Sequence, residues 1–270
     1  MQTDLFEQIK NAFDGMSKSH KRIAAYILEH SEKAAYMTAT KLGAEVGISE
    51  STVVRFAIEL GFAGYSEFQS ELQKSLRSKL TAVQRIDVAD NLIGERNIAS
   101  SVVSADIGNL KASLANMDET SFESAVETIC RAKNIYIIGK RSSNMLADFI
   151  NHYFRYIFDN VHLVSTNTTI DMFEEIFRIG ADDVLIAISY PRYSKRTKTA
   201  AEFAKRRGAT VIALTDSDIA PITTFADIKL FAKSDMASFV DSLVAPLSII
   251  NALIVAIGRK KRLTLEKTFN

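Results

Sequence analysis

Residues 38–60 read TATKLGAEVGISESTVVRFAIEL. With Ala39 as the first position of the frame, Leu42, Val46, Ile48, Val53 and Phe56 recur where two short helices bury apolar side chains against each other, the spacing of a helix-turn-helix. Gly43 takes the position where a small side chain allows close helix approach, and Gly47 falls in the turn, where positive φ is needed. Ser49 is a natural N-cap, its hydroxyl expected to take a backbone N–H of the second helix. That helix is predicted from Glu50 to Leu60, with Gly61 as its C′ residue.

Outward from this stretch, the first 77 residues read as helical. Helices are predicted over Thr3–Phe13, over Ser19–His30 with Ile23, Tyr26 and Ile27 on one face, and over Tyr65–Leu76 after the turn GFAGY. From Arg77 to Arg96 the chain is polar and reads as a linker. A helix from Asn97 to Asn116 bridges onward, and another spans Ser121–Cys130. Beyond Lys133 short β-branched runs alternate with helical patterns. The runs are IYIIG from Ile135, VHLV from Val161, VLIAIS from Val184, TVIALT from Thr210 and IKLFA from Ile228. Helices fit at 144–158, 170–179, 195–206 and 219–225, with a long one over 239–258. Such alternation predicts a doubly wound parallel α/β sheet, with ligands at the carboxyl ends of its strands. The expected organisation is therefore an all-α helix-turn-helix domain (1–77), a linker and bridging helix (78–117) and an α/β domain (118–270).

The chain has 270 residues, 47% hydrophobic and 24% charged, the balance of an ordinary globular protein. The start is acidic and amphipathic, unlike a secretory signal. The longest apolar run, 243–257, is interrupted by Pro246, Ser248 and Asn251 and is too short and polar for a bilayer. A cytoplasmic location with no membrane partner is expected. Cys130 is the only cysteine, which excludes an intrachain disulfide, and no His/Cys/carboxylate cluster shows metal-ligand spacing. Neither a metal nor a cofactor is expected. Residues 1–77 carry nine lysines and arginines against ten acidic residues, so contact with nucleic acid must rest on local geometry.

Such a local patch exists at Lys18, His20, Lys21 and Arg22, joined by Lys41 and Arg55 on the two-helix unit. Ser49, Ser51 and Thr52 lie near the N-terminal end of the second helix, the end that enters a major groove. There, Ser51 and Thr52 can touch base edges or phosphates and Arg55 can reach a guanine or a phosphate. The alternative for Arg55 is an i,i+4 pair with Glu59. Thr38 is expected to cap the first helix and to lie near phosphate. Lys18, Lys21 and Arg22 either contact the DNA backbone or form a solvated face. One such unit buries little DNA, so a homodimer or homotetramer on adjacent half-sites follows.

The first strand ends in GKRSSN (139–144) and the third in SYPRYSKRT (189–197), each opening a helix. Hydroxyls, cations and helix N-terminal N–H groups suit an anion such as a phosphate; the alternative is that Ser142 and Ser194 only cap helices. The arrangement resembles a SIS (sugar isomerase) domain, a flavodoxin-like parallel sandwich whose loops read G-x-G-x-S and S-x-S-G-x-T, followed by a strand ending in Thr-Asp. Here these align with Gly139-Lys140-Arg141-Ser142-Ser143, with Ser189-Tyr190-Pro191-Arg192-Tyr193-Ser194, and with Thr215-Asp216-Ser217. Joined to the segments TVVRF and LGFAGYSEF, the whole resembles the RpiR-type bacterial transcription regulators.

The resemblance implies that the second domain senses a sugar phosphate or related sugar acid without catalysis, through Ser142, Ser143, Ser189 and Ser194, to which the chemistry of the loops adds Arg141 and Arg192. It also implies that paired N-terminal domains hold a palindromic double-stranded DNA operator near carbohydrate genes. Arg141 and Arg192 replace pattern glycines and either add bidentate contacts to an anion or narrow the pocket. The enzyme alternative, an aldose–ketose phosphate isomerase, needs a Glu or His base at the pocket. Of the four histidines, only His152 has a position from which it could approach a ligand.

Overall fold

The computed structural model describes residues 5–77, 97–166, 168–236 and 240–269, and its contacts divide the chain into two units, 1–96 and 97–270. The expected linker over 78–96, and the expected helix residues Thr3 and Phe239, lie outside the described residues.

The first unit contains α1 (Leu5–Ala12), α2 (Lys18–Glu29), the single turn α3 (Ser31–Ala34), α4 (Ala39–Val46), α5 (Glu50–Glu59) and α6 (Tyr65–Arg77). α2 starts one residue ahead of expectation because the Ser17 hydroxyl accepts from His20 N at 3.3 Å. On the predicted faces Ile23, Ile27, Leu42, Val53 and Phe56 are fully enclosed and Val46 is buried, while Tyr26 and Ile48 are only half-buried; Phe68 and Leu72 of α6 complete the core. Phe56 packs edge-on against Phe68, their centroids 5.6 Å apart. Each such side chain contributes about 2 kcal/mol by leaving water. The turn forms as read, with Gly47 left-handed at φ +65° and Gly61 closing α5 at +94°. A Cβ on Gly43 would lie 2.6 Å from the Ile48 carbonyl. What demands glycine there is thus the backbone of the turn folding over α4.

The second unit begins with α7 (Ile98–Ala115), the helix expected as a bridge; its Leu110 packs on this unit's core. Then come α8 (Glu119–Arg131), β1 (Ile135–Gly139), α9 (Ser143–Phe154), β2 (Val161–Leu163), α10 (Thr169–Ile176), β3 (Val184–Ile188), α11 (Lys195–Arg206), β4 (Thr210–Thr215), β5 (Ile228–Phe231), α12 (Val244–Lys260) and α13 (Arg262–Phe269). All five expected strands are present, parallel, in the order β2-β1-β3-β4-β5.

Both faces of the sheet are covered, so the strands read as continuous apolar runs. Ile135, Ile137, Ile186, Ile188, Ile212 and Leu214 face a core shared with α8, α9 and α12. Tyr136, Ile138, Leu185, Ala187 and Val211 point the other way, into a core shared with α10 and α11. This is the period-two alternation of a pleated strand.

Two expected helices end early, at Phe154 rather than 158 and at Ile176 rather than 179, and two others differ more. Residues 219–225 hold only a 3-10 turn, Thr223–Phe225. Pro221 disfavours the α conformation at Ala220, and the Thr223 hydroxyl donates to the carbonyls of Asp218 and Ala220 instead. The long C-terminal helix begins at Val244 rather than 239. Pro246 lacks an N–H and fits only the first turn, where N–H groups have no helical acceptor. α8 starts at Glu119 because Asp118 accepts from the N–H groups of Thr120 and Ser121. The Ser121 hydroxyl, donating to Asp118 Oδ2 at 2.7 Å, together with those N–H groups holds the Asp118 carboxyl below its ordinary value. Cys130 is half-buried on α8 against the core, and burial pushes its thiol up.

Candidate functional site

In the first unit, Ser49 sits at the N-cap of α5 with extended backbone, yet its hydroxyl takes no backbone N–H. It lies instead 3.0 Å from Ser51 Oγ and 2.9 Å from Thr52 Oγ1. Two nearby side-chain hydroxyls outcompete the backbone, which corrects the expected cap. Arg55 Nη2 donates to Thr52 Oγ1 at 3.2 Å. Ser49, Ser51, Thr52 and Arg55 therefore form one connected row of hydroxyls and a guanidinium at the start of α5. The i,i+4 pairing of Arg55 with Glu59 does not form. Glu59 Oε2 lies 2.7 Å from His20 Nδ1, although the ring N–H is not aligned with it and Nδ1 has no hydrogen bond among the described residues. His20 is buried with its ring edge-on to Phe56, so it leaves the basic patch in which its sequence position had placed it.

The cations of that patch separate into three settings. Lys18 is exposed at the start of α2, while Lys21 is half-buried with its ammonium 5.7 Å from the Phe13 ring centroid. Arg22 lies against the turn: a Cβ on Gly47 would stand 3.0 Å from Arg22 Nη2. The Thr38 hydroxyl accepts from Lys41 N at 3.2 Å and caps α4 as expected, with the Lys41 side chain exposed. The Thr40 hydroxyl donates to Glu50 Oε2 at 2.8 Å, tying α4 to the start of α5.

In the second unit, the strand order reverses direction between β1 and β3, and the crevice outside their carboxyl ends is where a doubly wound sheet binds ligands. The loops after these two strands meet there. Gly139 is required at the end of β1, since a Cβ would stand 2.3 Å from the Ser143 carbonyl oxygen. Arg141 and Arg192, at the positions of the pattern glycines, adopt left-handed backbone with φ +60° and +69°. The loops thus keep the glycine conformation while carrying long cations.

Their side chains join the loops. Arg141 Nη1 donates to the Arg192 carbonyl at 2.9 Å. Arg192 Nη2 donates to Asp241 Oδ2 at 2.9 Å, and the Ser142 hydroxyl donates to the same oxygen at 3.2 Å. Ser142 makes no helix cap, whereas Ser194 caps α11 by accepting from Thr197 N at 3.3 Å. Ser189 Oγ accepts from Ser194 N, which folds the second loop, and Ser143 is buried at the start of α9.

Beside this network opens a cleft of about 450 Å³, lined by Lys140, Arg141, Tyr193, Ser194, Lys195 and Arg196. Four of the six are cations and none is acidic. Lys195 and Arg196 occupy the first turn of α11, which has no acidic residue there. Cations at a helix N-terminus oppose its dipole, and an anion in the cleft relieves that opposition. Lys140 is buried, its ammonium donating to the carbonyls of Val164 at 3.1 Å and Thr166 at 2.6 Å. Burial pushes it below its ordinary value, with Glu175 acting in the opposite direction. Tyr193 donates to Asp216 Oδ1 at 2.9 Å, so the Thr-Asp end of β4 adjoins the same loop.

Five of these residues were missing from the expected set: Lys140, Tyr193, Lys195, Arg196 and Asp241. All but Asp241 lie inside the two quoted loop strings, where the run of cations was the available signal. His152 does not approach the cleft; it is exposed on α9 with its ring against Tyr153 and Tyr156. Among the described residues no three His, Cys, Asp or Glu side chains converge as a metal site.

Comparison with known proteins gives the same two-part division. Residues 3–79 match the model of the helix-turn-helix domain of the rpiR family, and residues 128–256 match that of the SIS domain. An uncharacterized HTH-type transcriptional regulator of Haemophilus influenzae is 30% identical over 236 residues, covering 84% of this chain and 79% of its own. The HTH-type transcriptional regulator HexR of Pseudomonas aeruginosa is 26% identical over 263 residues, covering 96% and 90%. Among solved structures, Vibrio vulnificus NanR complexed with ManNAc-6P aligns over 98% of this chain and 96% of its own, with TM-score 0.59 and 21% identity. The sugar isomerase domain of an RpiR transcription factor from Sphaerobacter thermophilus aligns over 64% and 97%, with TM-score 0.61 and 26% identity.

Proposed function

Since the chain belongs to the rpiR family of helix-turn-helix transcriptional regulators, a family of DNA-binding proteins and not of enzymes, we propose that its operator affinity is set by a phosphorylated sugar or related sugar acid held at the β1 and β3 loops. The observation that carries this reading is the cleft of four cations and no carboxylate at the sheet's switch point. Bound ManNAc-6P in the similarly folded NanR supports the same ligand class. In this reading Ser143, Ser189 and Ser194 with Arg141 face the phosphate side, with Ser142 from the first loop and Arg192 from the second beside them.

On the DNA side the proposed reading residues are Ser49, Ser51, Thr52 and Arg55 on α5. Thr38, Lys41, Lys18, Lys21 and Arg22 are proposed to hold the phosphate backbone. A single small unit gives modest DNA affinity, so the working form is proposed to be a cytoplasmic homodimer or homotetramer on a palindromic operator near carbohydrate genes. No helix among the described residues is long and apolar enough to cross a membrane. Fluorescence anisotropy on DNA flanking its own gene, at fixed salt and with a panel of sugar phosphates and sugar acids, tests the proposal. One compound that shifts specific binding supports it; specific binding indifferent to every compound counts against the sensing half.

A further inference from the structure

Asp241 lies on the segment that enters α12, and its side chain is 2% exposed. Its Oδ2 gathers one donor from each ligand loop, Arg192 Nη2 at 2.9 Å and Ser142 Oγ at 3.2 Å. A ligand oxyanion spanning the two loops would use the same pair of donors. The guanidinium is only partly engaged, since Arg192 Nε is buried without a hydrogen-bond partner among the described residues. A buried N–H without an acceptor is uncommon, and it leaves the planar fork with a donor for a second oxygen.

We propose that Asp241 is an internal counter-anion, displaced from Arg192 and Ser142 when the anionic group of the effector binds. This rests on the reading of the two loops as the effector's anion site. A carboxylate that stayed in place would oppose an incoming anion by like charge, and its departure transfers both donors to the ligand.

Displacement has a route outward. The neighbouring Ser242 hydroxyl donates to Asp106 Oδ1 of α7 at 2.5 Å. Further along the same segment, buried Asn109 donates to the Asp235 carbonyl at 3.0 Å, and buried Ser113 accepts from Lys233 N at 2.8 Å. Lys233, Asp235 and Ser242, the last of these next to Asp241, are therefore each tied to α7 by a hydrogen bond. Because α7 opens the second unit, occupancy of the anion site is felt at the helix nearest in sequence to the DNA-binding unit.

The test uses the full chain and inorganic phosphate, with binding measured by calorimetry. Asp241→Asn keeps the shape and an acceptor oxygen but removes the charge, and it is expected to bind phosphate about tenfold more tightly than the natural chain. Equal or weaker binding by a folded variant overturns the displacement and leaves the anion site standing. Independently of folding in the variant, hydrogen exchange in the natural protein is expected to quicken over residues 240–250 on saturation with phosphate. Unchanged or slower exchange there overturns the displacement. Phosphate binding to neither protein removes the anion-site reading itself, and the displacement with it.

Discussion

At Gly47, in the turn between α4 and α5, the backbone has φ +65°; at Arg141 and Arg192, in the strand-end loops, it has +60° and +69°. The same left-handed turn is thus filled by glycine in one unit and by arginine in the other. Glycine adopts it without strain, while a residue with a Cβ costs about 1–2 kcal/mol there. In the first unit the turn has only to bring two helices together, and a side chain would press on Arg22. In the second unit each strained residue carries a contact that glycine could not make, to the Arg192 carbonyl in one case and to Asp241 in the other. Strain is retained where the side chain binds something, as at functional loops generally.

The comparison can be broken most severely at Gly139. Gly139→Ala should lower the stability of the second unit by about 3 kcal/mol, because the new methyl meets helix backbone that cannot move aside. Urea denaturation followed by circular dichroism measures this, and a loss below about 1 kcal/mol would show that the loop relaxes freely.

Next in size is Arg55→Ala. Its expected outcome is a tenfold to hundredfold loss (about 1–3 kcal/mol) of operator affinity with an unchanged melting temperature. Retained sequence-specific binding in anisotropy titrations would remove α5 from its proposed reading role.

The first unit also has its own pH limit. Tyr65, 7% exposed, donates to the Met37 carbonyl at 2.8 Å, and burial pushes its phenol up from 10.0 to about 12. The folded state favours the neutral phenol, so this contribution is complete below pH 10 and lost as pH rises through 12. About 3 kcal/mol is involved at most. Tyr65→Phe should be less stable at neutral pH yet flatter across that alkaline window, and a slope equal to the natural chain's would discount Tyr65 as its source. The buried Tyr190 phenol of the second unit, raised well above 10.0 as well, keeps its own alkaline dependence in the variant.

The finest test sets the two arginines against each other. Arg192→Gly relieves strain but leaves the buried Asp241 carboxylate short of a cation, for a net loss of about 2 kcal/mol. Arg141→Gly relieves similar strain and removes only one exposed hydrogen bond, so its stability should rise by up to about 1 kcal/mol. Thermal melts of the pair decide it; equal losses would mean that the left-handed backbone costs these loops little.

Much of this was legible from local pattern. The apolar spacing of Leu42, Val46, Val53 and Phe56 and the β-branched runs of the five strands need no distant partner to be recognised, and all form as read. Prolines account for the two largest departures among the expected helices, at Pro221 and Pro246, because their steric effect falls on residues that otherwise carry a helical pattern. The anion loops were visible as strings of hydroxyls and cations. Asp241 was not, since nothing along the chain links it to Ser142, 99 positions away, or Arg192, 49 away. Ser49 escaped for the opposite reason: its competitors, Ser51 and Thr52, are so close in sequence that a cap and a side-chain cluster look alike.

The parallel sheet also sets a timetable. Ile135 of β1 pairs with Val161 and with Val184, so no strand finds a neighbour without first closing a crossover loop. Contacts between α4 and α5 close within a few residues of chain. Folding slows as contacts become less local, and a nascent chain emerges from its N-terminus. The half that grips DNA is therefore expected to mature ahead of the half that senses, and pulse-labelling of amides during refolding should find Val53 and Phe56 protected before Ile137 and Ile186.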